Sequence, residues 1–129
     1  MPLVKIETQE GKTTETKRGL LDAVHEALVE AFEVPDDDRQ QRIQEYPVDD
    51  FEVPPSKSAN HVVVTIDAFP GRSAGAKREL YAGIVRRFAD LGVDPLDVLI
   101  VVNEIPLENW GIRGGQSAAD VDLGFALDV

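Results

Sequence analysis

Proline at position 2 is the residue whose chemistry depends most on its place in the chain. If the initiator Met1 is removed, as is usual before a small second residue, Pro2 becomes the amino terminus and its nitrogen becomes a secondary amine. An α-amino group titrates within about two units of neutral pH, so this nitrogen could act as base, acid or nucleophile. Taken alone, Met-Pro is a common start, and a solvated amine is the simpler interpretation.

A repeated pattern in the sequence gives Pro2 a structural context. Gly-Lys-Thr at 11–13 is echoed by Gly-Arg-Ser at 71–73, and Lys17 is echoed by Lys77. After a one-residue slip, four more pairs match: Val34 with Val93, Asp38 with Asp97, Glu45 with Glu104, and Pro47 with Pro106. Self-similarity at a nearly constant offset indicates a duplication, and two copies are too few for a solenoid. We therefore predict one pseudo-symmetric domain.

The length and composition are those of a single globular domain. The 129 residues suffice for one core, and 43% hydrophobic with 29% charged residues are ordinary values. No apolar run approaches the roughly 18 residues of a membrane span, and no signal peptide is recognised, so we expect a cytoplasmic protein. The predicted parts are pseudo-repeats 2–47 and 61–106, a linker 48–60 and a C-terminal tail 107–129.

Several kinds of site and partner are excluded by composition. The chain has no cysteine, which removes disulfides, thiolate catalysis and cysteine zinc sites, and its two histidines are isolated, so no metal is expected. The net charge of −11 makes nucleic acid and anionic membranes poor partners. A small anionic substrate would need a local cation, although simple solubility also explains the charge.

Hydrophobic periodicity predicts two βαβ units. We expect strands at 3–8, 39–46, 61–68 and 98–103, and one more short strand within 120–129. Apolar stripes from Leu20 to Phe32 and from Leu80 to Leu91 predict the two helices, capped by Thr13 or Thr14 and by Ser73.

Right-handed crossovers would make the two strands of each unit parallel. The predicted fold is therefore α/β (α+β), a four-stranded sheet with both helices on one face. The strand at 98–102 is apolar on both faces, whereas the predicted sheet has one bare face. We therefore expect that face to be buried in a homo-oligomer.

With these features the chain resembles the tautomerase superfamily, specifically the fused members related to malonate semialdehyde decarboxylase. The resemblance rests on Met-Pro opening the first strand, the turns at 10–13 and 70–73, the helix exit at 32–39, and Asn-Trp-Gly-Ile at 109–112. It implies a tautomerase or MIF-like fold of two βαβ units, assembled as a homotrimer. It also implies a cofactor-independent enzyme whose amino-terminal proline is catalytic and whose substrate is a small anionic carboxylate.

The resemblance can be carried over residue by residue. The decarboxylase's proline matches Pro2, the aspartate after its first helix matches Asp38, its second essential arginine matches Arg72, and its tryptophan matches Trp110. The first arginine of its Arg-Pro-Arg triplet is replaced here by Pro70. Short tautomerases also have an arginine in this turn, so Arg72 fits tautomerase chemistry at least as well as decarboxylation.

Each of these side chains has a chemical role and a plainer alternative. Arg72 would grip a carboxylate, or be an exposed turn arginine. Trp110 would wall the pocket, or pack in the core or an interface. Asp38 would orient a water or stabilise protonated proline, or be a simple helix-exit acid. Gln40, on the inward side of a polar strand, could donate to a substrate carbonyl, although interface bonding is favoured, and Arg113 could reach a neighbouring pocket.

Three functions remain open from the sequence. The first is enol–keto tautomerisation of a small 2-oxo acid, with Pro2 as the proton shuttle. The second is a lyase reaction, either decarboxylation of a 3-oxo acid or hydration of a 3-haloacrylate, with protonated Pro2 as acid. The third is a non-catalytic trimeric binding protein. Burial would lower the pKa of the Pro2 amine and Asp38 would oppose that change.

Overall fold

Two βαβ units lie side by side in one four-stranded sheet. The computed structural model describes residues 2–129. The elements of the first unit are β1 (Leu3–Gln9), α1 (Thr14–Phe32) and β2 (Gln40–Tyr46). Those of the second are β3 (Val62–Ala68), α2 (Ala74–Ala89) and β4 (Val98–Glu104). A small hairpin of β5 (Gly111–Ile112) and β6 (Gln116–Ser117) follows.

The sheet order brings the start of the chain to the middle of the molecule. The strands run β2-β1-β3-β4, with a parallel pair in each unit and an antiparallel pair β1–β3 at the centre. The parallel pairing within each unit is as predicted. Leu3 pairs with Gln40 on one side and with Asp67 on the other. The residue before Leu3 therefore lies between the start of β2 and the end of β3.

Both helices pack on one face of the sheet, as the periodicity predicted. Alternate residues of β1 and β3 are buried beneath the apolar stripes of the helices. Each helix begins at a capping hydroxyl: Thr13 Oγ1 accepts from Thr16 N at 3.1 Å, and Ser73 Oγ accepts from Ala76 N at 3.0 Å. Neither helix in the described chain is long and apolar enough to cross a membrane.

The duplication is visible in matching ion pairs. Glu45, near the end of β2, accepts from Lys17 Nζ at 2.8 Å, and Glu104, at the end of β4, accepts from Lys77 Nζ at 2.5 Å. The second oxygen of each carboxylate accepts a backbone N–H from the preceding strand–helix turn, at 3.0 Å and 3.4 Å respectively. The same three-way contact therefore ties turn, helix and strand in both halves.

The predicted strand within 120–129 does not form. The short hairpin ends before it, and the chain then runs without sheet pairing along the surface. This tail is held by other contacts: Ser73 Oγ donates to the Val129 carbonyl at 2.8 Å, and the Leu127 carbonyl packs against Gly71. Side-chain and close backbone contacts thus replace the pairing that the apolar residues of the tail suggested.

The face of the sheet opposite the helices is open. Leu99 and Val101 of β4 lie on it, with 51% and 40% of their surface exposed. Polar residues of β2 share this face, because Gln40 is paired with Leu3 and the side chains alternate. The open face is therefore apolar along β4 and polar along β2.

Candidate active site

Pro2 is buried at the point where three strands meet. It directly precedes Leu3, whose neighbours across the sheet are Gln40 and Asp67. Met1 lies outside the described residues, so its expected removal stays a prediction. The fold holds Pro2 beside the start of β2 because the parallel β1–β2 register begins at Leu3.

A cavity of about 310 Å³ lies at this end of the sheet. Its walls come from the α1–β2 connection, the residue after β3, the hairpin and the tail. The lining residues are Pro35, Asp37, Asp38, Gln40, Phe69, Ile112, Arg113, Leu123 and Phe125. The cavity is thus lined by five apolar residues and four polar or charged ones, a mixture that can hold a small polar molecule.

Two of the predicted site residues, Asp38 and Gln40, meet in this cavity. The turn after α1 positions Asp38, whose amide donates to the Pro35 carbonyl at 3.0 Å. Gln40 is exposed and lies on the open face of the sheet, and not on the inward, helix-covered side that the sequence suggested. Its neighbour Gln41 points to the helices instead and donates to the Leu21 carbonyl at 2.9 Å. Alternation along β2 explains the difference.

Arg72 is a buried cation rather than an exposed turn arginine. Only 5% of its surface is exposed, and its guanidinium carbon lies 5.0 Å from the centre of the Phe32 ring. Nη1 donates to the Phe69 carbonyl at 3.3 Å. Nε and Nη2 are buried, and neither has a hydrogen-bond partner among the described residues. Unpaired buried donors are rare in proteins, so this group is suited to bind an anion.

The electrostatic surroundings of Arg72 connect it to Asp38. Burial lowers the pKa of Arg72 from its ordinary value, and the carboxylates of Glu104 and Asp38 oppose that change. The guanidinium keeps its charge because the ordinary arginine pKa lies far above neutrality. Asp38 therefore lines the cavity and also interacts electrostatically with Arg72.

Trp110 supports the cavity from behind. Its ring meets the Phe69 ring edge-on, with centres 5.1 Å apart and an angle of 78° between the planes. Trp110 Nε1 donates to the Ile105 carbonyl at 3.1 Å. Phe69 lines the cavity and Trp110 does not appear among the lining residues described above. Trp110 and Arg72 therefore both contact Phe69, a residue of the cavity wall, and neither lines the cavity itself.

The sequence analysis missed Phe69 and the tail residues Leu123 and Phe125. The sequence does contain an indication for Phe69. A large aromatic residue stands between the end of β3 and the Gly-Arg-Ser turn, at the position where the first half has Gln9. The tail residues gave no such indication, since the large apolar side chains at alternate positions of 121–129 predicted a strand and not a cavity wall. Arg113 was expected to reach a neighbouring pocket, and it lines the cavity of its own chain.

The opposite end of the sheet carries the counterpart of Asp38. This residue, Asp97, accepts hydrogen bonds from Ser58 N at 2.8 Å and Ser58 Oγ at 2.5 Å. These bonds, the hydroxyl first, hold the pKa of Asp97 below its ordinary value. His61 Nδ1 lies 2.9 Å from the Asp97 carbonyl, so this histidine also contributes to the contacts around Asp97. At the Asp97 end of the sheet, the linker thus occupies the position that corresponds to the cavity at the Asp38 end.

The arrangement near Pro2 is suited to proton transfer on a small anion. It has a buried cation with unpaired donors, and a cavity whose wall combines an acid and an amide with apolar side chains. Within residues 2–129 no group of three or more histidine, cysteine or acidic side chains is placed to hold a metal ion. The ionisable side chains at the cavity can take part in acid–base chemistry.

Comparison with known proteins gives the family. A family model described as tautomerase enzyme matches residues 38–113, and a second with the same description matches residues 2–59. The chain is 27% identical over 123 residues to the probable tautomerase YrdN of Bacillus subtilis (strain 168), covering 91% of this chain and 95% of that protein.

Solved structures agree in fold and length. FG41 malonate semialdehyde decarboxylase inhibited by 3-bromopropiolate superposes with a TM-score of 0.82 at 29% identity, covering 91% of this chain and 92% of that one. The wild-type Q0 fused 4-OT, a symmetric trimer, gives 0.81 at 30% identity, covering 91% and 96%. Because the first family model spans more than half of the chain and these relatives cover nearly all of it, the chain belongs to the tautomerase family.

Proposed function

We propose that the chain is a cofactor-independent tautomerase that interconverts the enol and keto forms of a small 2-oxo acid. The observation that carries the proposal is Arg72, a buried cation with two unpaired donors at the end of the sheet where Pro2 precedes β1. A carboxylate substrate would supply the missing partner. The family membership supports tautomerase chemistry in general, and the acid–base groups support this form of it.

Pro2 is the proposed proton shuttle, once Met1 has been removed. As a free base its nitrogen takes the proton of the enol hydroxyl while the C–O bond becomes a carbonyl. The electron pair of the enol double bond moves to the adjacent carbon, which then takes the proton back from the protonated proline. Such a shuttle works best when the pKa of the amine lies near the working pH.

The remaining residues bind and orient the substrate in this proposal. Arg72 holds the carboxylate through Nε and Nη2, the two nitrogens that lack partners. Asp38 stabilises the protonated proline or orients a water, and Gln40 donates to the carbonyl oxygen. Trp110 keeps Phe69 in place as a wall of the cavity.

We propose that the chain functions as a homotrimer. One similar solved structure is described as a symmetric trimer. The exposed Leu99 and Val101 support association through the open face of the sheet, because apolar side chains on an open sheet are stabilised by burial. We also keep the division into pseudo-repeats 2–47 and 61–106, linker 48–60 and tail 107–129 as a proposal.

The second candidate is a lyase or hydratase like malonate semialdehyde decarboxylase. The observation in its favour is the 29% identity to that enzyme over nearly the full length of both chains. Pro70 stands where that enzyme has the first arginine of its Arg-Pro-Arg triplet. The replacement of this arginine favours tautomerisation over the lyase reaction. The buried Arg72 is compatible with both.

One experiment separates these functions. The purified chain would be given the enol form of phenylpyruvate, malonate semialdehyde and a 3-haloacrylate, and ketonisation, carbon dioxide release and halide release would be measured. Faster ketonisation than buffer alone, with slow release of the other products, is the expected result. Decarboxylation without ketonisation would establish the lyase instead, and binding of all three acids without turnover would indicate a non-catalytic binding protein.

A further inference from the structure

His25 is a buried polar side chain of α1 that the proposed reaction does not use. Only 4% of its surface is exposed. Its Nε2 atom is buried and has no hydrogen-bond partner among the described residues. The contact it makes is with Asp36, whose Oδ1 lies 3.4 Å from Nε2, longer than an ordinary hydrogen bond of about 3 Å. Buried polar atoms in proteins are nearly always paired, so this contact calls for a physical explanation.

Asp36 belongs to the turn that places Asp38 at the cavity. Pro35, Asp37 and Asp38 line the cavity, whereas the carboxylate of Asp36 approaches His25. The turn is closed by the Asp38 amide, which donates to the Pro35 carbonyl at 3.0 Å. The contact with His25 therefore joins the turn to the core of the molecule, two positions before Asp38.

Two further contacts join the chain after this turn to the same stretch of α1. Arg39 Nη2 donates to Asp22 Oδ1 at 2.8 Å, and Gln41 Nε2 donates to the Leu21 carbonyl at 2.9 Å. The side chains of Arg39 and Asp22 are 39% and 46% exposed, so their ion pair contributes little to fixing the turn. His25 is enclosed in the core, and packing keeps its ring in one position. Of the two side chains on α1, His25 is therefore the better anchor for the turn.

The second half of the duplicated chain differs at both positions of this contact. By the offsets of the repeat, Val85 stands at the position of His25 and Pro95 at the position of Asp36, and neither side chain can form an ion pair. The corresponding acid of that half, Asp97, is held by the linker, whose backbone donates to its carboxylate at 2.8 Å. The histidine–acid contact thus belongs to the half whose acid lines a cavity.

We propose that His25 is a positioning residue, which holds the α1–β2 turn through Asp36 and thereby keeps Asp38 in its place in the cavity wall. An imidazole can present Nε2–H to a carboxylate whether the ring is neutral or protonated, so the contact needs no particular charge state. The kinetic consequence rests on the proposed function, in which Asp38 stabilises the protonated proline or orients a water. The position of the turn can be measured without a substrate.

Three variants separate this contact from the packing around it. His25→Leu keeps the approximate size of the side chain and removes the buried nitrogen, which a core tolerates because no polar atom is left buried and unpaired. His25→Gln keeps an N–H donor on a flexible side chain that can reach Asp36. Asp36→Asn removes the charge from an exposed residue, and Asp50→Asn makes the same change at an exposed position of the linker as the control.

Hydrogen exchange, followed by NMR from milliseconds to hours, measures how firmly the turn is held. The Asp38 amide closes this turn by a hydrogen bond, and the Asp97 amide closes the matching turn before β4. In His25→Leu we expect exchange at Asp38 to become about tenfold faster and exchange at Asp97 to stay within about twofold. Asp36→Asn should act in the same direction, His25→Gln should recover part of the protection, and the control should match wild type. Unchanged exchange at Asp38, or equal acceleration at both amides, would overturn the proposal.

The kinetic consequence is a loss in kcat rather than a rise in KM. With the enol of phenylpyruvate we expect His25→Leu to lower kcat by about threefold to thirtyfold, because a misplaced group slows the reaction step. KM should change less than about twofold, since Arg72 binds the carboxylate. In Asp38→Asn, which lacks the carboxylate to be positioned, adding His25→Leu should lower kcat by less than about twofold. An equal loss of kcat in both backgrounds would show that His25 does not act through Asp38.

Failure of the proposed function would be distinguishable from failure of this inference. If wild type does not ketonise the enol, the proposed reaction is wrong, and selective acceleration of exchange at Asp38 still supports the role of His25. If wild type is an active tautomerase and exchange at Asp38 is the same in His25→Leu, the inference is wrong and the reaction stands.

Discussion

The guanidinium of Arg72 stacks on the ring of Phe32, with 5.0 Å between the guanidinium carbon and the ring centre. Phe32 is the last residue of α1, and Arg72 lies in the turn before α2. The last residue of α1, in the first βαβ unit, thus holds the guanidinium of Arg72, which belongs to the second unit. A desolvated cation–π contact of this kind stabilises by about 2 kcal/mol and leaves the in-plane donors of the guanidinium available.

Replacing Phe32 should disturb Arg72 more than it disturbs the fold. For Phe32→Leu we expect a loss of about 1–2 kcal/mol in the free energy of unfolding and a rise of severalfold in KM for a carboxylate substrate. Phe88→Leu is the matched control, because Phe88 is equally buried near the far end of α2. Equal KM values in the two variants at equal stability would show that the stacking does not position Arg72.

Removing the charge of Arg72 should separate activity from stability. Arg72→Met keeps the length of the side chain and eliminates two buried unpaired donors, but it also loses the Phe32 contact and the bond to the Phe69 carbonyl. Because these effects oppose each other, we expect the free energy of unfolding to change by less than about 2 kcal/mol. The same variant should raise KM and lower kcat, since the contact also positions the reacting carbon. Urea denaturation and steady-state kinetics on one preparation would check both.

Arg72→Lys completes that comparison. An ammonium keeps the charge and loses the planar fork, so activity should recover only in part. Wild-type kinetics on a carboxylate substrate in either variant would show that Arg72 does not bind the carboxylate.

Changing the amine at position 2 should slow the reaction strongly. Pro2→Ala keeps a terminal amine and loses the ring, and a form that retains Met1 turns the nitrogen into an amide. We expect losses on the order of 100-fold or more, greater for the Met1-retaining form, because a positioned general base contributes about that much. Intact mass spectrometry would establish which terminus each sample has, and full activity with Met1 retained would rule out the mechanism.

The contact between Ser58 and Asp97 should make stability depend on pH. The folded pKa of Asp97 lies below the ordinary 3.8, so its contribution is present above the unfolded pKa and is lost as the pH falls through the folded value. Ser58→Ala should therefore lower the urea midpoint clearly at pH 7 and progressively less below about pH 4. Ser56→Ala, an exposed serine of the same linker, should match wild type throughout. A constant difference between Ser58→Ala and wild type from pH 7 to pH 2 would contradict this assignment.

Local patterns in the sequence were enough to predict the sheet and its helices. The alternation of β3 and the capping hydroxyls of Thr13 and Ser73 depend on neighbours within a few residues, and they appear in the structure as expected. The sequence predicted the parallel pairing within each unit, whereas the central antiparallel pairing of β1 with β3 is known from the structure alone.

Features of the site that depend on distant contacts could not be predicted in this way. The burial of Arg72 requires Phe32, which lies forty positions earlier in the chain. The tail suggested a strand by its apolar residues, yet its Ser73 contact and close packing keep it out of the sheet. Phe125 became a wall residue through that packing, and nothing in its own segment indicates a cavity.

Because Ser58 already satisfies Asp97, the two ends of the sheet should respond differently to a bound anion. The linker end is complete without a ligand, so binding has nothing to order there. The Pro2 end leaves donors of Arg72 open, so the stabilisation that a ligand brings should be confined to that end of the molecule.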